Sequence, residues 1–206
     1  MSEYADYQWG DGETDAHSYI YPVLRSLLTE HKGKLIIDVG CGNGVIACKL
    51  IAEGFDVYGI DASASGISIA RRAHADRFFI HDTSSEYLPE VLADKKFDVV
   101  VSTEVIEHLY APRRYIELIR TLLRPGGMLI LSTPYHGYLK NLALALTNKL
   151  DSHFTALWDG GHIKFWSIKT ISVLLGEFDF KVVLFKGCGR IPFLWKSMFV
   201  SAKLSP

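Results

Sequence analysis

In the ten residues LIIDVGCGNG, glycines alternate at positions 40, 42 and 44 directly after a run of aliphatics, with Asp38 inside the run. Glycine at such a place lets the chain turn tightly and lets a ligand lie against the backbone with no Cβ in the way. The spacing is GxGxG, with Val45 standing where a dinucleotide-binding GxGxxG would put its third glycine. Asp61 follows 17 positions after Gly44, at the end of the next apolar run. A carboxylate there accepts hydrogen bonds from both hydroxyls of a ribose, so loop and carboxylate together have what a nucleoside ligand requires. A second group lies in STEVIEHL, where His108 has the chemistry of a general base. Glu104, Glu107 and His108 stand at i, i+3 and i+4, and share one face if the segment is helical. Two carboxylates and an imidazole could hold a divalent ion, but imidazole is a poor magnesium ligand and a solvated helix start explains the same residues. His136, His153 and His162 offer further imidazoles, the last within WDGGHIKFWS.

Apolar runs and helical patterns alternate from Leu35 onward, the signature of a parallel sheet with crossover helices. Strands are expected at Leu35–Val39, Asp56–Ile60, RFFI, Phe97–Ser102 and, after an RPGG turn, MLILST. Helices are expected over Val45–Glu53, Ser63–Ala73 and Pro112–Leu123, the last with Ile116, Ile119 and Leu123 on one face. Right-handed crossovers make this a doubly wound α/β sheet, whose ligands bind at the carboxyl ends of the strands. The rhythm breaks after Thr133, and residues Pro134 to Ile163 hold aromatics, three histidines and the apolar patch LALAL without a strand. It resumes with a helix over Ser167–Phe178, then FKVVLF and WKSMFVSAKL, which are close enough to pair as an antiparallel hairpin at the sheet edge.

A chain of 206 residues is long enough for one well-cored α/β domain and short for two. Its 22 basic and 23 acidic residues leave a net charge of -1, without the basic excess of a nucleic-acid binder. The start of the chain shows no secretory pattern, and no apolar run approaches the length of a spanning helix. Cys41, Cys48 and Cys188 form no CxxC, so reduced thiols and a cytoplasmic location are expected.

IIDVGCGNG resembles motif I of the class I S-adenosylmethionine-dependent methyltransferases, and VYGID their second motif. FDVVVSTEVIEHL resembles the segment around their fourth strand, and LLRPGGMLILSTP the turn and fifth strand. Order and spacing of all four match from about Leu35 to Pro134. STEVIEHL and the RPGG turn are most similar to the branch containing the ubiquinone-biosynthesis O-methyltransferases. The resemblance implies a Rossmann-like, mostly parallel seven-stranded sheet in the order 3-2-1-4-5-7-6, with the last strand antiparallel and helices on both faces. It implies S-adenosyl-L-methionine as cofactor. Gly40, Gly42 and Gly44, with Cys41, would line its methionine part, and Asp61, with Ala62, would hold its ribose. Asp82 sits where the family often contacts adenine, though a helix N-cap or turn residue is an equal reading. Thr103 or Glu104 would flank the sulfonium, and Asp38 would orient the loop through its amides. In the ubiquinone branch the Glu104, Glu107, His108 triplet has been associated with magnesium.

The rim carries the candidates for acceptor chemistry. His108 is a base, or else a partly buried anchor for the loop that follows. His162, with Phe165 and Trp166 close by, resembles a GH…FF/FW-S stretch of small-molecule methyltransferases, which places His162 in the pocket lining and Phe165 in the core. Segment 134–163 would fold over the acceptor pocket, and 1–31 would form a lid and helix in which Tyr7, Trp9 and His17 meet cofactor or acceptor. Core packing is the plain reading of YLKNLALALTNKL, with at most weak membrane-surface contact through 138–150. A nicotinamide dehydrogenase is disfavoured by the GxGxG spacing. A nucleic-acid amino-methyltransferase is disfavoured because STPY belongs to strand five, not four. The expectation is a single-domain methyltransferase of small molecules, acting on an oxygen of a phenol- or quinol-like metabolite. N- and C-methylation, and a non-catalytic cofactor-binding regulatory module, are the alternatives.

Overall fold

The alternation of β-branched runs with amphipathic stretches resolves into one seven-stranded sheet in a computed structural model that describes residues 6, 9–83, 85, 87–154, 156–158 and 160–206. The strands are β1 (Leu35–Val39), β2 (Asp56–Asp61), β3 (Phe78–Ile80), β4 (Phe97–Thr103), β5 (Leu123–Pro134), β6 (Phe180–Cys188) and β7 (Ser197–Leu204). Their order is β3-β2-β1-β4-β5-β7-β6, with β7 antiparallel to both its neighbours and the first five strands parallel, as the resemblance implies. Strand residues alternate between two apolar layers, because successive side chains point to opposite faces. Ile37, Val39 and Val100 pack against α4 (Glu90–Ala93), α5 (Pro112–Leu122) and α8 (Ile168–Gly176). Ile36, Val99 and Val101 pack against α1 (His17–Leu28), α2 (Val45–Ala52) and α3 (Ala64–Ala70).

Local chemistry sets the element ends. Gly44 precedes α2 in the left-handed region at φ 76°, where a Cβ would meet Ala70. Ser63 caps α3 by accepting from the Gly66 amide, and Ser167 and Thr170 form a reciprocal capping box on α8. The RPGG stretch, expected as a turn before β5, is instead carried inside it. The pairing slips between Phe97/Leu123 and Val99/Met128, so the extra residues bulge while the ladder continues. Past Pro134, the last residue of β5, segment 134–163 has no strand among its described residues but does contain two helices, α6 (Tyr138–Leu146) and α7 (Leu150–Phe154). Core packing is not what most leucines of the YLKNLALALTNKL stretch do: Leu139, Leu142 and Leu146 of α6 are 50%, 40% and 79% exposed. Among the described residues, no helix is long and apolar enough to cross a membrane.

Candidate active site

The carboxyl ends of β1, β2, β4 and β5 open into one cavity of about 1590 Å³, roofed by α1, α6, α7 and the chain that follows them. That is room for a nucleoside cofactor and an acceptor together, since one drug-sized ligand fills about 300–1,000 Å³. Gly40, Asp61, Ala62, Asp82, Thr103, Glu104, His108 and His162 all line it, as do Trp9 and His17 from the N-terminal segment. Tyr7 lies outside the described residues.

The glycines divide their work. Gly40, at φ 81°, faces the cavity, and a Cβ there would strike the Val105 side chain. Gly42 lies beneath the Trp9 ring, and Gly44 packs on Ala70. Only the first of the three therefore presents bare backbone to the cavity. Cys41 does not face it either; its side chain is 8% exposed within the layer formed with Ile36 and Ile46. Asp38 does not orient the loop. The amides it was expected to hold bond elsewhere: Gly40 and Cys41 donate to the Ile60 carbonyl and Gly42 to Asp61.

Asp38 is buried instead, with Oδ1 unpartnered, and burial followed by the Asp61 charge pushes its carboxyl up to about 7. A carboxyl raised in the fold ionises first in the unfolded chain, so stability is fully present below about pH 4 and lost as pH rises through 7. Asp38→Asn is therefore expected to raise the melting temperature by several degrees at pH 8 and to change it little at pH 4, as a thermal scan would read.

Asp61 is built as a clamp. Oδ2 accepts from the Gly42 amide at 2.8 Å and Oδ1 from the Ser63 amide at 2.7 Å. Burial raises its pKa while those two amides pull it back. Each oxygen has a second lone pair, and the residue faces the cavity. A strap crosses the loop from the N-terminal side: Asn43 donates to the carbonyls of Gly10 and Gly12, and Asp6 accepts from Ser63 and Ser65.

At the other end, Glu104 adopts a left-handed conformation at φ 54°, which turns its carboxylate back onto the sheet. There it accepts from Ser132 Oγ at 2.7 Å and Ser197 Oγ at 3.0 Å. The chain then makes a single 3-10 turn over Ile106–His108. The expected helical face of Glu104, Glu107 and His108 is therefore absent, because a left-handed residue cannot continue into a helix. The grouping found is Glu107, His108 and His162, whose ligand atoms lie within 4.8 Å of one another. Two imidazoles and a fully buried carboxyl, which burial and the neighbouring Glu104 drive toward its protonated form, do not suit magnesium. Turnover is accordingly expected to be unchanged by added Mg²⁺ in an initial-rate assay.

His108 is oriented by backbone. Its Nδ1 lies 2.8 Å from the Gly160 carbonyl and 3.2 Å from that of Gly161. A carbonyl only accepts, so Nδ1 carries the proton and the neutral ring keeps its lone pair on Nε2. Burial lowers the pKa, which keeps the ring neutral at pH 7. The ring of His162 sits 4.8 Å away, centroid to centroid, and Trp158 packs edge-on against both. Burial and the nearby His108 push His162 down to about 4. Described residues of segment 134–163, His153 among them, line the cavity. Phe165, expected in the core, is 51% exposed and stacks edge-on against His136; Trp166 packs on the core in its place.

Residues 13–184 match the model of the methyltransferase domain family. The chain belongs to that family. The cofactor that goes with it is S-adenosylmethionine. Ubiquinone biosynthesis O-methyltransferases are similar over about half of this chain. The one from Roseobacter denitrificans is 39% identical over 104 residues, 50% of this chain and 42% of that protein. The one from Acinetobacter baylyi is 34% identical over 122 residues, 55% and 51% of the two chains. The chain thus spans about half the length of the curated relatives it matches. Among solved structures, magnesium protoporphyrin IX methyltransferase from Synechocystis, with bound S-adenosylhomocysteine, superposes with a TM-score of 0.70 over 95% of this chain and 90% of that one, at 22% identity. A methyltransferase from Mesorhizobium loti gives 0.67 over 88% and 96%, also at 22% identity. These likenesses concern the fold.

The residues fit the cofactor of this methyltransferase domain where they can be tested. Gly40 lines the cavity without a side chain, close against Val105, and Asp61 lines it with one amide hydrogen bond on each oxygen. Sequence reasoning missed Asn43, Ser132 and Ser197, which fasten the strap and hold Glu104. It also missed Lys140, for which helical periodicity gave no signal, because the leucines of α6 face the solvent.

Proposed function

We propose that this methyltransferase domain transfers the methyl group of S-adenosylmethionine to an oxygen of a small phenol- or quinol-like acceptor, with His108 as general base. When bound, the cofactor supplies a methyl on a sulfonium, already activated for displacement. The chain's residues do the rest. Gly40 and Asp61 bind and orient the nucleoside, and Thr103 and Glu104 border the reacting centre from the end of β4. Trp158 and the His162 ring cover that end against water.

The observation that carries the reading is His108 in the cavity lining, held through Nδ1 by the Gly160 carbonyl, with Nε2 4.0 Å from Glu107 Oε1 and given no hydrogen bond by the described residues. A phenol has to lose its proton as the oxygen attacks, whereas an amine attacks as its neutral form without help; an oriented neutral imidazole supports the former. The similar proteins from Roseobacter denitrificans and Acinetobacter baylyi are O-methyltransferases, which also speaks for oxygen.

The test is transfer from methyl-labelled S-adenosylmethionine to a panel of catechols, hydroquinones, hydroxy acids and amines, after calorimetric titration with S-adenosylhomocysteine. Transfer to phenolic oxygens supports the proposal. Transfer to amines or carbon alone overturns the oxygen assignment. Cofactor binding with no transfer to any acceptor points to a regulatory module, and no cofactor binding overturns the methyltransferase reading itself.

A further inference from the structure

Helix α6 is amphipathic the wrong way round. Its one fully buried residue is Lys140, while the leucines at 139, 142 and 146 stand in solvent. Burying an ammonium costs several kcal/mol unless a partner compensates, so an arrangement of this kind calls for a reason. Lys140 is 6% exposed and lines the cavity. Its Nζ makes one hydrogen bond, to the Lys196 carbonyl at 3.2 Å, which leaves two of three donors unused among the described residues. The nearest carboxylate that acts on it, Glu104, has both oxygens taken by Ser132 and Ser197 and forms no ion pair with it.

The surroundings add charge of the same sign. Arg190 lines the cavity and its charge acts on Lys140; Lys149 and Lys196 line the cavity too, the Lys196 ammonium lying over the Tyr19 ring. Arg190 has no ion-pair or hydrogen-bond partner among the described residues. Burial, and then Arg190, bring Lys140 down to about 8, and burial, followed by Lys140 and Arg190, lowers His153. The carboxylates of the cavity other than Glu104, namely Asp6, Asp61 and Asp82, belong to the opposite end, around β2 and β3. The cavity is therefore acidic where the nucleoside binds and basic beneath α6.

We propose that Lys140, with Arg190 beside it, binds an anionic group of the methyl acceptor, a carboxylate or a phosphate, at the end of the cavity remote from Asp61. The inference rests on the methyltransferase reading for what the acceptor is, but the anion subsite itself can be tested without turnover. It narrows the acceptors from phenols in general to those bearing an acid group, such as hydroxybenzoates or aryl phosphates.

The experiment is calorimetric titration of benzoate, phenyl phosphate and phenol into the protein, alone and loaded with S-adenosylhomocysteine. At least one of the two anions is expected to bind tenfold or more tighter than phenol, and which one identifies the group. Lys140→Met is expected to abolish that preference, Lys140→Arg to retain it, and Arg190→Gln, at an exposed position, to weaken anion binding about threefold to tenfold. All three variants are expected to bind S-adenosylhomocysteine like the unaltered protein, which shows that they fold. The proposal is overturned if phenol binds as well as both anions, if neither anion binds at millimolar concentration, or if the preference survives both Lys140→Met and Arg190→Gln. Loss of S-adenosylhomocysteine binding by the unaltered protein would overturn the methyltransferase reading instead, and the titrations into cofactor-free protein would still decide the anion site.

Discussion

Asp61→Ala is expected to weaken S-adenosylhomocysteine binding by about a hundredfold or more. The carboxylate does two things at once: it faces the cavity where a ribose is to be held, and it ties the Gly42 and Ser63 amides into the loop. Each hydrogen bond to a charged group is worth roughly 1.5–3 kcal/mol, and about 2.7 kcal/mol corresponds to a hundredfold in affinity. Asp61→Asn separates the two contributions. The amide keeps one oxygen for a loop amide but turns an NH₂ toward the other, so an intermediate loss of about tenfold is expected. Titration of both variants reads the difference. Wild-type affinity in Asp61→Ala would remove Asp61 from the cofactor site altogether.

His108→Ala is expected to lower kcat on a phenolic acceptor by about 10²–10³-fold at pH 7, within the range a positioned base supplies. Its pH dependence is the sharper test. In the unaltered enzyme the rate should rise with pH through the pKa of His108, which burial holds below its ordinary 6.5, and stay level above it. In the variant the rate should keep rising toward the acceptor's own pKa, about 10 for a simple phenol, where the substrate ionises without help and the defect shrinks. A loss of equal size at every pH would assign His108 to holding the loop at Gly160 rather than to proton transfer. His162→Ala should cost less, since its ring packs against His108 and is already neutral across this range.

The sheet and its order were legible because hydrophobic period and glycine placement act over a few residues, and these survive in the folded chain: VGCGNG and VYGID stand where the motif reading put them. The rim was legible only in part. Nothing in STEVIEHL announces that Glu104 takes φ 54° and leaves the helical register, since that conformation is imposed by Ser132 and Ser197, 28 and 93 residues away. Lys140 was hidden for the opposite reason. Periodicity points the leucines of α6 inward, and the cavity beneath the helix reverses that choice. Asp38 shows a third limit: adjacency to the glycines suggested it served them, while the amides found nearer partners in Ile60 and Asp61.

Because β7 slots between β5 and β6, the apolar edge of β5 has to wait, unpaired, for a strand that begins 63 residues after β5 ends. Pairings this distant in sequence form late, after the loop-closure entropy has been met. An open strand edge is meanwhile a template for another chain. Ser197 opens that same strand and carries the hydroxyl that holds Glu104. The pocket rim is therefore expected to be completed late in folding, and slow refolding or aggregation at high protein concentration should show first as missing activity in molecules whose β1–β4 half is already formed.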